Sequence, residues 1–344
     1  MSFSIGIVGL PNVGKSTLFK ALTKIPVDIA TYPFTTIHPN IGIVTVPDER
    51  LEKVAQVVKP EKVTPTVIEF IDIAGLVKGA HKGEGLGNQF LSHVRNCDAI
   101  LEVVRAFDDS SNVENVLGEV NPEKEIEIVK VELLMKDLES LESLLSKLEN
   151  DAKRDKKFLK KFEFLKKVKE VVSQENLISE LDLTDEEKLE IKEYQLLTQK
   201  PILYLLNTND DKGLKPEIGH LEINLKNEVE MSELSEVEAK ELGLSSRLDQ
   251  LILACYNILD LITFYTVAGG KETRAWTLKK GGRAPEAGGV VHSDFEEKFI
   301  RAEVIPWQKL VEAGSWKEAR ELGWLKIVGR DYIVRDGDVI EFKI

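Results

Sequence analysis

Cysteine is scarce in this sequence: Cys97 and Cys255 are all there is among 344 residues. Two thiols cannot build a disulfide framework, so both are expected as buried thiols in a reducing compartment. Long apolar runs are missing too. A membrane-spanning helix needs about 20 apolar residues in a row, and no such run is present. The N-terminus leads straight into a strand-like segment, so no signal peptide is expected. A cytoplasmic protein without membrane contact is the expectation. Positive charge is in deficit: 46 Lys and Arg stand against 59 Asp and Glu, a formal net charge of −13. General affinity for nucleic acid is therefore not expected, and any such contact has to come from a local basic patch. Apolar residues make up 42% of the chain, ample for real cores, and the length suggests two or three domains.

The stretch "GLPNVGKST", residues 9–17, fits the phosphate-binding template G-x-x-x-x-G-K-[ST]. That template needs a strand before it and a helix after it. "FSIGIVGL" reads as a buried parallel strand, and "KSTLFKALTK" carries Leu18, Phe19, Ala21 and Leu22 at helical spacing. Gly9 and Gly14 let the backbone curl so that its N–H groups point at a phosphate. The helix N-terminus adds partial positive charge. Lys15 would reach the β- and γ-phosphates, and the Ser16 hydroxyl would sit on Mg²⁺. The bland alternative is a chance glycine-rich turn, which would not bring the strand and helix with it.

Downstream, "IGIVTV" reads as a strand after the irregular loop "YPFTTIHPN". "TPTVIEFIDIAGL" reads as another, ending in Asp72-Ile73-Ala74-Gly75. D-x-x-G at a strand end is weak alone. In register after a phosphate loop it is the third motif of Ras-like NTPases, with Asp72 holding Mg²⁺ through water and the Gly75 amide sensing the γ-phosphate. "GAHKGEGLGNQF", with Gly79, Gly83, Gly85 and Gly87, reads as a switch loop, and "CDAILEVVRAF" as a buried strand.

From about residue 121 to 199 the character changes. Val131, Leu134, Leu138, Leu141, Leu145 and Leu148 alternate steps of three and four, a heptad seam. A second helix carries Phe158, Phe162, Leu165 and Val172 on one face. Together they predict an antiparallel helical arm. Its tip holds Lys153, Arg154, Lys156, Lys157, Lys160, Lys161, Lys166, Lys167 and Lys169, opposed by Asp155 and Glu163 alone. A charge run is usually a solvated face. Nearly all of one sign in an acidic chain, it is also a candidate RNA contact, through Lys153, Arg154, Lys156, Lys157, Lys160 and Lys161 above all.

"KPILYLLNTNDDKG" returns as a buried strand ending in Asn207-Thr208-Asn209-Asp210, so the arm interrupts one α/β domain. "LEINLKNEVE" reads as a short strand and "SRLDQLILACYNILDLITF" as a long helix. The remainder reads as a small α+β module: short strands, the broken helix "WQKLVEAGSWKEARELG", and a closing hairpin pair in "YIVRDGDVIEFKI" around Asp336-Gly337-Asp338. It shows no catalytic constellation. His292 reads as structural, and Trp276, Trp307, Trp316 and Trp324 as core.

Taken together these residues resemble the YchF or Obg-like ATPase family of translation-factor-class P-loop proteins. The resemblance spans essentially the whole chain and is carried by "GLPNVGKST", "YPFTTIHPN", "DIAGLVKGAHKGEGLGNQFL", the helical insertion and "HSDFEEKFIRAEV…DGDVIEF". It implies an α/β Ras-like G domain over residues 1–120 and 200–262, an antiparallel helical (coiled-coil) arm over 121–199, and an α+β TGS domain of the ubiquitin-like β-grasp type over 263–344. It also implies a cytosolic nucleotidase that binds ribosomes and prefers ATP, using Mg²⁺ and K⁺. On that pattern Asn12, Val13, Gly14, Lys15, Ser16 and Thr17 hold the phosphates, and Asn207, Thr208 and Asp210 meet the base. Thr36, with Thr35 as runner-up, completes the Mg²⁺ shell beside Ser16 and Asp72, and Asn12 is the K⁺ ligand. Lys15 and Gly75 carry catalysis.

Leu76 stands where Ras-like enzymes carry the glutamine that orients the attacking water. A leucine has neither donor nor acceptor, so intrinsic turnover is expected to be slow. Many relatives carry a histidine after the "RAF" strand, whereas "DDSSNVENVLGEV" has none. The family's N-x-x-E is here N-x-x-D. Two rival readings stay open: an Obg-type GTPase acting on ribosomes, and an RNA-binding scaffold that holds nucleotide as a ligand.

Overall fold

In the computed structural model, residues 3–25, 40–73, 91, 93–107, 116–209, 216–234, 238, 245–268 and 270–344 are described. Ser4–Val8 (β1) is buried at every residue: parallel strands pair along both its edges, and Leu18, Leu22, Leu133 and Leu251 from helices share its core. That double burial explains a run without polar alternation. Lys15–Thr23 (α1), Ile41–Thr45 (β2), Glu49–Val58 (α2), Lys62–Thr64 (β3), Val67–Asp72 (β4) and Ala99–Arg105 (β5) follow. The insertion comprises Pro122–Ala152 (α3), Lys156–Ser173 (α4) and Asp185–Lys192 (α5). Ile202–Asn207 (β6), His220–Ile223 (β7), Leu225–Met231 (α6) and Leu248–Ile258 (α7) complete the first layer system. Its sheet runs β2-β4-β1-β5-β6-β7, parallel except for β2. This is the expected Ras-like sheet, and it brings the C-terminal ends of β1, β4, β5 and β6 to one edge.

The arm departs from its predicted seam in two places. Leu134 and Leu141 are buried, with Leu138, Leu145 and Leu148 packed beside them, but Val131 is 37% exposed. At its root α3 lies on the sheet through Val129 and Leu133, which turns Val131 outward. On α4 the buried face is Leu165, Val168 and Val172, whereas Phe158 is 37% exposed. Phe158 lies in the first turn, at the tip, where the partner helix has ended. Buried Asp137 ties the arm back to the sheet, accepting from the Leu197 N–H (2.8 Å), the Thr198 N–H (2.7 Å) and the Thr198 hydroxyl (2.7 Å).

The C-terminal part holds Leu261–Ala268 (β8), Glu272–Lys279 (β9), Ala284–Val291 (α8), Ser293–Glu297 (α9), Arg301–Pro306 (β10), Trp307–Ala313 (α10), Trp316–Glu321 (α11), Lys326–Val328 (β11) and Asp338–Lys343 (β12). Its strands run β11-β10-β12-β8-β9, with β12 and β8 parallel at the centre, which is the β-grasp order. Three predictions are corrected here. The long helix stops at Ile258, because Asp260 takes a φ of 52° and Leu261 opens β8. "LEINLKNEVE" divides into β7 and α6, where the Asn224 side chain caps the helix by accepting from the Asn227 N–H. "YIVRDGDVIEFKI" yields one strand rather than a hairpin: Ile333 bridges to Arg283, and the chain turns at Gly337 (φ 87°) into β12. Among the described residues no helix is long and apolar enough to cross a membrane.

The segment between β2 and β4 belongs to both halves. β3 adds to the C-terminal sheet, parallel to β9, as its sixth strand. Leu51 and Val54 of α2 are buried in a cluster with Tyr265, Ala275, Ile305 and Leu310. Asp48 caps α2, bonds Arg50 (2.8 Å) and accepts from the Tyr265 hydroxyl (2.5 Å), while Arg50 also reaches Asp336 (2.5 Å). We expect Leu51→Ala to cost about 2–5 kcal/mol in chemical denaturation, through lost burial and a cavity between the halves. Val131→Ala, at an exposed position, should stay within about 0.5 kcal/mol of wild type.

Candidate nucleotide site

The loop after β1 is seated by two glycines that nothing else could replace. Gly9 has φ 145°, and a Cβ there would lie 2.3 Å from the Val103 carbonyl oxygen of β5. Gly14 has φ 111°, and its Cβ would lie 2.5 Å from Asn207 Nδ2 at the end of β6. Asn12, between them, also takes a left-handed φ of 64°. Asn207 closes the seat: its Nδ2 donates to the Val13 carbonyl (2.9 Å), and its Oδ1 accepts from the Leu225 N–H (3.2 Å). One amide thus joins the phosphate loop, β6 and the first residue of α6. Each end of that amide still has one hydrogen-bonding position to spare.

Lys15 is 7% exposed, and its ammonium donates to the carbonyls of Gly9 (3.2 Å) and Leu10 (2.7 Å). Burial lowers its pKa, opposed by Asp72 and then Glu125. Ser16 and Thr17 are exposed at the head of α1. The Ser16 hydroxyl donates to Asp72 Oδ2 at 3.2 Å, which brings together two of the expected Mg²⁺ residues from opposite sides of the loop. Asp72 is held in turn by its backbone N–H on the Asn40 carbonyl (2.9 Å). Among the described residues no group of three or more His, Cys, Asp or Glu side chains converges into a metal cage. An incomplete pair of hard oxygen donors fits Mg²⁺ that shares its shell with phosphates and water.

Thr208 follows β6 with its N–H on the Ile223 carbonyl (3.0 Å). Thr35, Thr36, Gly75, Leu76, Asp210 and the "DDSSNVEN" stretch, residues 108–115, lie outside the described residues. At the arm tip, Arg154, Lys156, Lys157 and Lys160 are exposed without a described ion-pair partner. Lys153 pairs with Glu149 (2.8 Å), and Lys161 pairs with Glu193 (3.4 Å) and lies over the Tyr194 ring. The six cations therefore stay together at one end of the arm, with two of them partly neutralised. His292 caps α9, accepting from the Asp294 N–H (3.1 Å), and the four tryptophans pack against the two C-terminal core clusters.

Sequence reasoning missed the floor of the site. Glu125, in the first turn of α3, accepts the Arg105 N–H at 3.0 Å. Burial pushes its carboxyl up to about 7, against the pull of Arg105 and Lys15. Beneath it Glu102 is buried on β5, and burial, followed by the Glu125 carboxylate, pushes it well above the usual carboxylate range. An acidic first helical turn looks like dipole complementarity in a sequence, and nothing there connects it to Lys15.

Strand, glycine-seated loop, buried lysine and the Ser16–Asp72 pair define a P-loop nucleotide-binding protein of the Ras-like class. The comparisons narrow this. A family profile described as a 50S ribosome-binding GTPase matches residues 4–136, and a YchF GTPase C-terminal profile, described as a protein of unknown function, matches residues 261–344. The "Ribosome-binding ATPase YchF" of Bacillus subtilis is 46% identical, over 100% of this chain and 99% of the relative. That of Escherichia coli O157:H7 is 43% identical, over 99% of each. The solved structure described as the Schizosaccharomyces pombe YchF GTPase superposes with a TM-score of 0.87 at 35% identity, covering 99% of this chain and 98% of that one. The chain belongs to the YchF family.

We expect Asn207→Ala to leave the Val13 carbonyl and the Leu225 N–H buried without partners, costing about 1–3 kcal/mol each. Denaturation should show that loss and nucleotide titration a weakened loop. Thr208→Ala, at a half-exposed side chain, should show no such stability loss.

Proposed function

We propose that this protein binds and slowly hydrolyses ATP with Mg²⁺ and works in the cytoplasm on the ribosome. The observation that carries the enzymatic reading is the buried Lys15 ammonium, held by two loop carbonyls beside the Ser16–Asp72 pair. The curated relatives' names support the nucleotide and the ribosome. In this reading the phosphates lie at the N-terminus of α1, with Val13, Gly14, Ser16 and Thr17 around them, and Lys15 leaves its carbonyls to meet the β,γ-charge. Ser16, Thr36 and Asp72, the last through water, would hold Mg²⁺, which neutralises charge on the β- and γ-oxygens when bound. The Gly75 amide reads the γ-phosphate. Leu76 orients no water, so turnover is slow, and Asn12 would hold K⁺, which would supply positive charge instead. The domain limits at residues 120, 199 and 262 belong to the same reading.

The base is the finer point. A carboxylate at Asp210 would pair with guanine N1–H and the 2-amino group, and adenine offers it neither. Against GTP stand Thr208, in place of the lysine whose stem covers guanine, and "INLKN", which lacks the Ser-Ala-Lys that meets the guanine carbonyl. Adenine's 6-amino group would instead meet the spare acceptor of Asn207 and backbone near Thr208. Calorimetric titration should give ATP analogues about tenfold tighter binding than GTP analogues, roughly 1.4 kcal/mol. Lys15→Ala should abolish turnover. Tighter GTP binding would move the chain to the Obg-type GTPases, and unchanged turnover in Lys15→Ala would remove the enzyme reading altogether.

The arm tip supplies the ribosome contact in this proposal, through Lys153, Arg154, Lys156, Lys157, Lys160 and Lys161, with the C-terminal domain as a second one. Replacing Lys156, Lys157, Lys160 and Lys161 with glutamate should weaken ribosome co-sedimentation and leave basal turnover intact. Wild-type binding should fall steeply with salt, as phosphate contacts require. Salt-independent binding would leave the tip as a solvated face.

A further inference from the structure

We propose that Glu125, buried at the root of the arm beside the end of β5, takes up a proton when phosphates fill the loop. The inference rests on the reading of that loop as a nucleotide site.

Asn121 caps α3 by accepting from the Lys124 N–H (3.1 Å), and Pro122 opens the helix. That start points Glu125 into the protein, where it is 3% exposed and takes the Arg105 N–H. The described ionisable groups around it come from four elements. Lys15 of α1, bonded to the Gly9 and Leu10 carbonyls, acts on it through its charge. Glu102 and Arg105, 2% and 1% exposed, face it from β5. Tyr204 of β6 pairs in register with Glu102, and burial pushes its hydroxyl further up. On α3 itself Glu123 and Lys124 are exposed, and Glu132 is buried a further two turns along.

Two carboxyl groups therefore share one buried space with unequal hydrogen bonding. Glu102 Oε1 has no hydrogen-bond partner. A buried carboxylate in that position is costly, so Glu102 stays neutral and Glu125 carries the pair's single charge. That charge faces Lys15 and Arg105. A nucleotide changes the balance. Its phosphates add negative charge and draw the Lys15 ammonium away from the site floor. Glu125 then loses a counter-charge and gains a repulsion, both of which favour its neutral form. The proton comes from solvent and adds to Glu125, leaving a carboxyl oxygen to accept the Arg105 N–H. Ligand in the loop is thereby registered at the base of α3, whose far end is the basic tip.

The sign follows directly. Binding that takes up a proton weakens as pH rises, by up to about tenfold per pH unit between the free and bound pKa values. With the free carboxyl pushed up to about 7, the weakening should set in above neutrality. The test is calorimetric titration of Mg²⁺–ATPγS in two buffers of low and high ionisation enthalpy, PIPES and Tris, at about pH 7.5. Wild-type heats should differ between buffers, corresponding to up to about one proton taken up. Glu125→Gln keeps an acceptor for Arg105 and should bind with no buffer difference. Glu102→Gln should keep the wild-type difference. Ionisation of the nucleotide is common to all three proteins and cancels. Equal wild-type heats in the two buffers, or an undiminished difference in Glu125→Gln, overturns the inference. Absence of any binding heat in wild type overturns the nucleotide reading and this inference with it.

Discussion

The site depends on how closely one loop lies against the ends of two strands. At Gly9 the backbone passes so near the Val103 carbonyl that a single methyl group would collide with it, and at Gly14 the same holds against Asn207. Left-handed torsions at Gly9, Asn12 and Gly14 turn the loop in the space that remains. From that seat follow the placement of Lys15 beneath the loop, the approach of Ser16 to Asp72, and the reach of Asn207 from β6 to Val13. A parallel sheet makes this possible, because it brings the carboxyl ends of several strands to one edge.

Charge is arranged around the seat in layers. Lys15 is buried against backbone carbonyls, and the charges of Asp72 and Glu125 oppose the effect of that burial. Farther down, burial and then the Glu125 charge oppose ionisation of Glu102. The arm grows out of this floor: α3 carries Glu125 in its first turn and is pinned again by Asp137 against Leu197 and Thr198. Its root is thus hydrogen-bonded at both Glu125 and Asp137, while its tip carries cations into solvent.

The two sheets are also joined. The segment between β2 and β4 leaves the nucleotide layer, adds β3 to the C-terminal sheet and buries α2 against it. The Asp48–Arg50–Asp336 pairs and the Tyr265 hydroxyl fasten this junction at a partly buried position. The strand that ends in Asp72 is therefore continuous in the chain with a piece of the C-terminal domain.

Local patterns were legible without coordinates. The apolar run before "GLPNVGKST", its glycines and the amphipathic helix after it are dictated by period and torsion, so the loop, Lys15, Ser16 and Asp72 could be named from the sequence. The heptad steps from Leu134 to Leu148 gave the arm in the same way. Where burial depends on a distant partner, pattern failed. Val131 fits the heptad but turns outward because α3 lies on the sheet there, and Val168, unremarked in the sequence, fills the seam. α2 and β3 had readable signals, with Asp48 as cap and Leu51, Val54 and Val58 in helical steps, but their partners are more than two hundred residues away. The sequence by itself determined which residues could wrap a phosphate, because backbone torsion and helix capping act over a few neighbours. Tertiary structure alone decided that Glu125, Glu102 and Arg105 meet beneath Lys15, because burial and Coulomb fields depend on distances in space that no local period encodes.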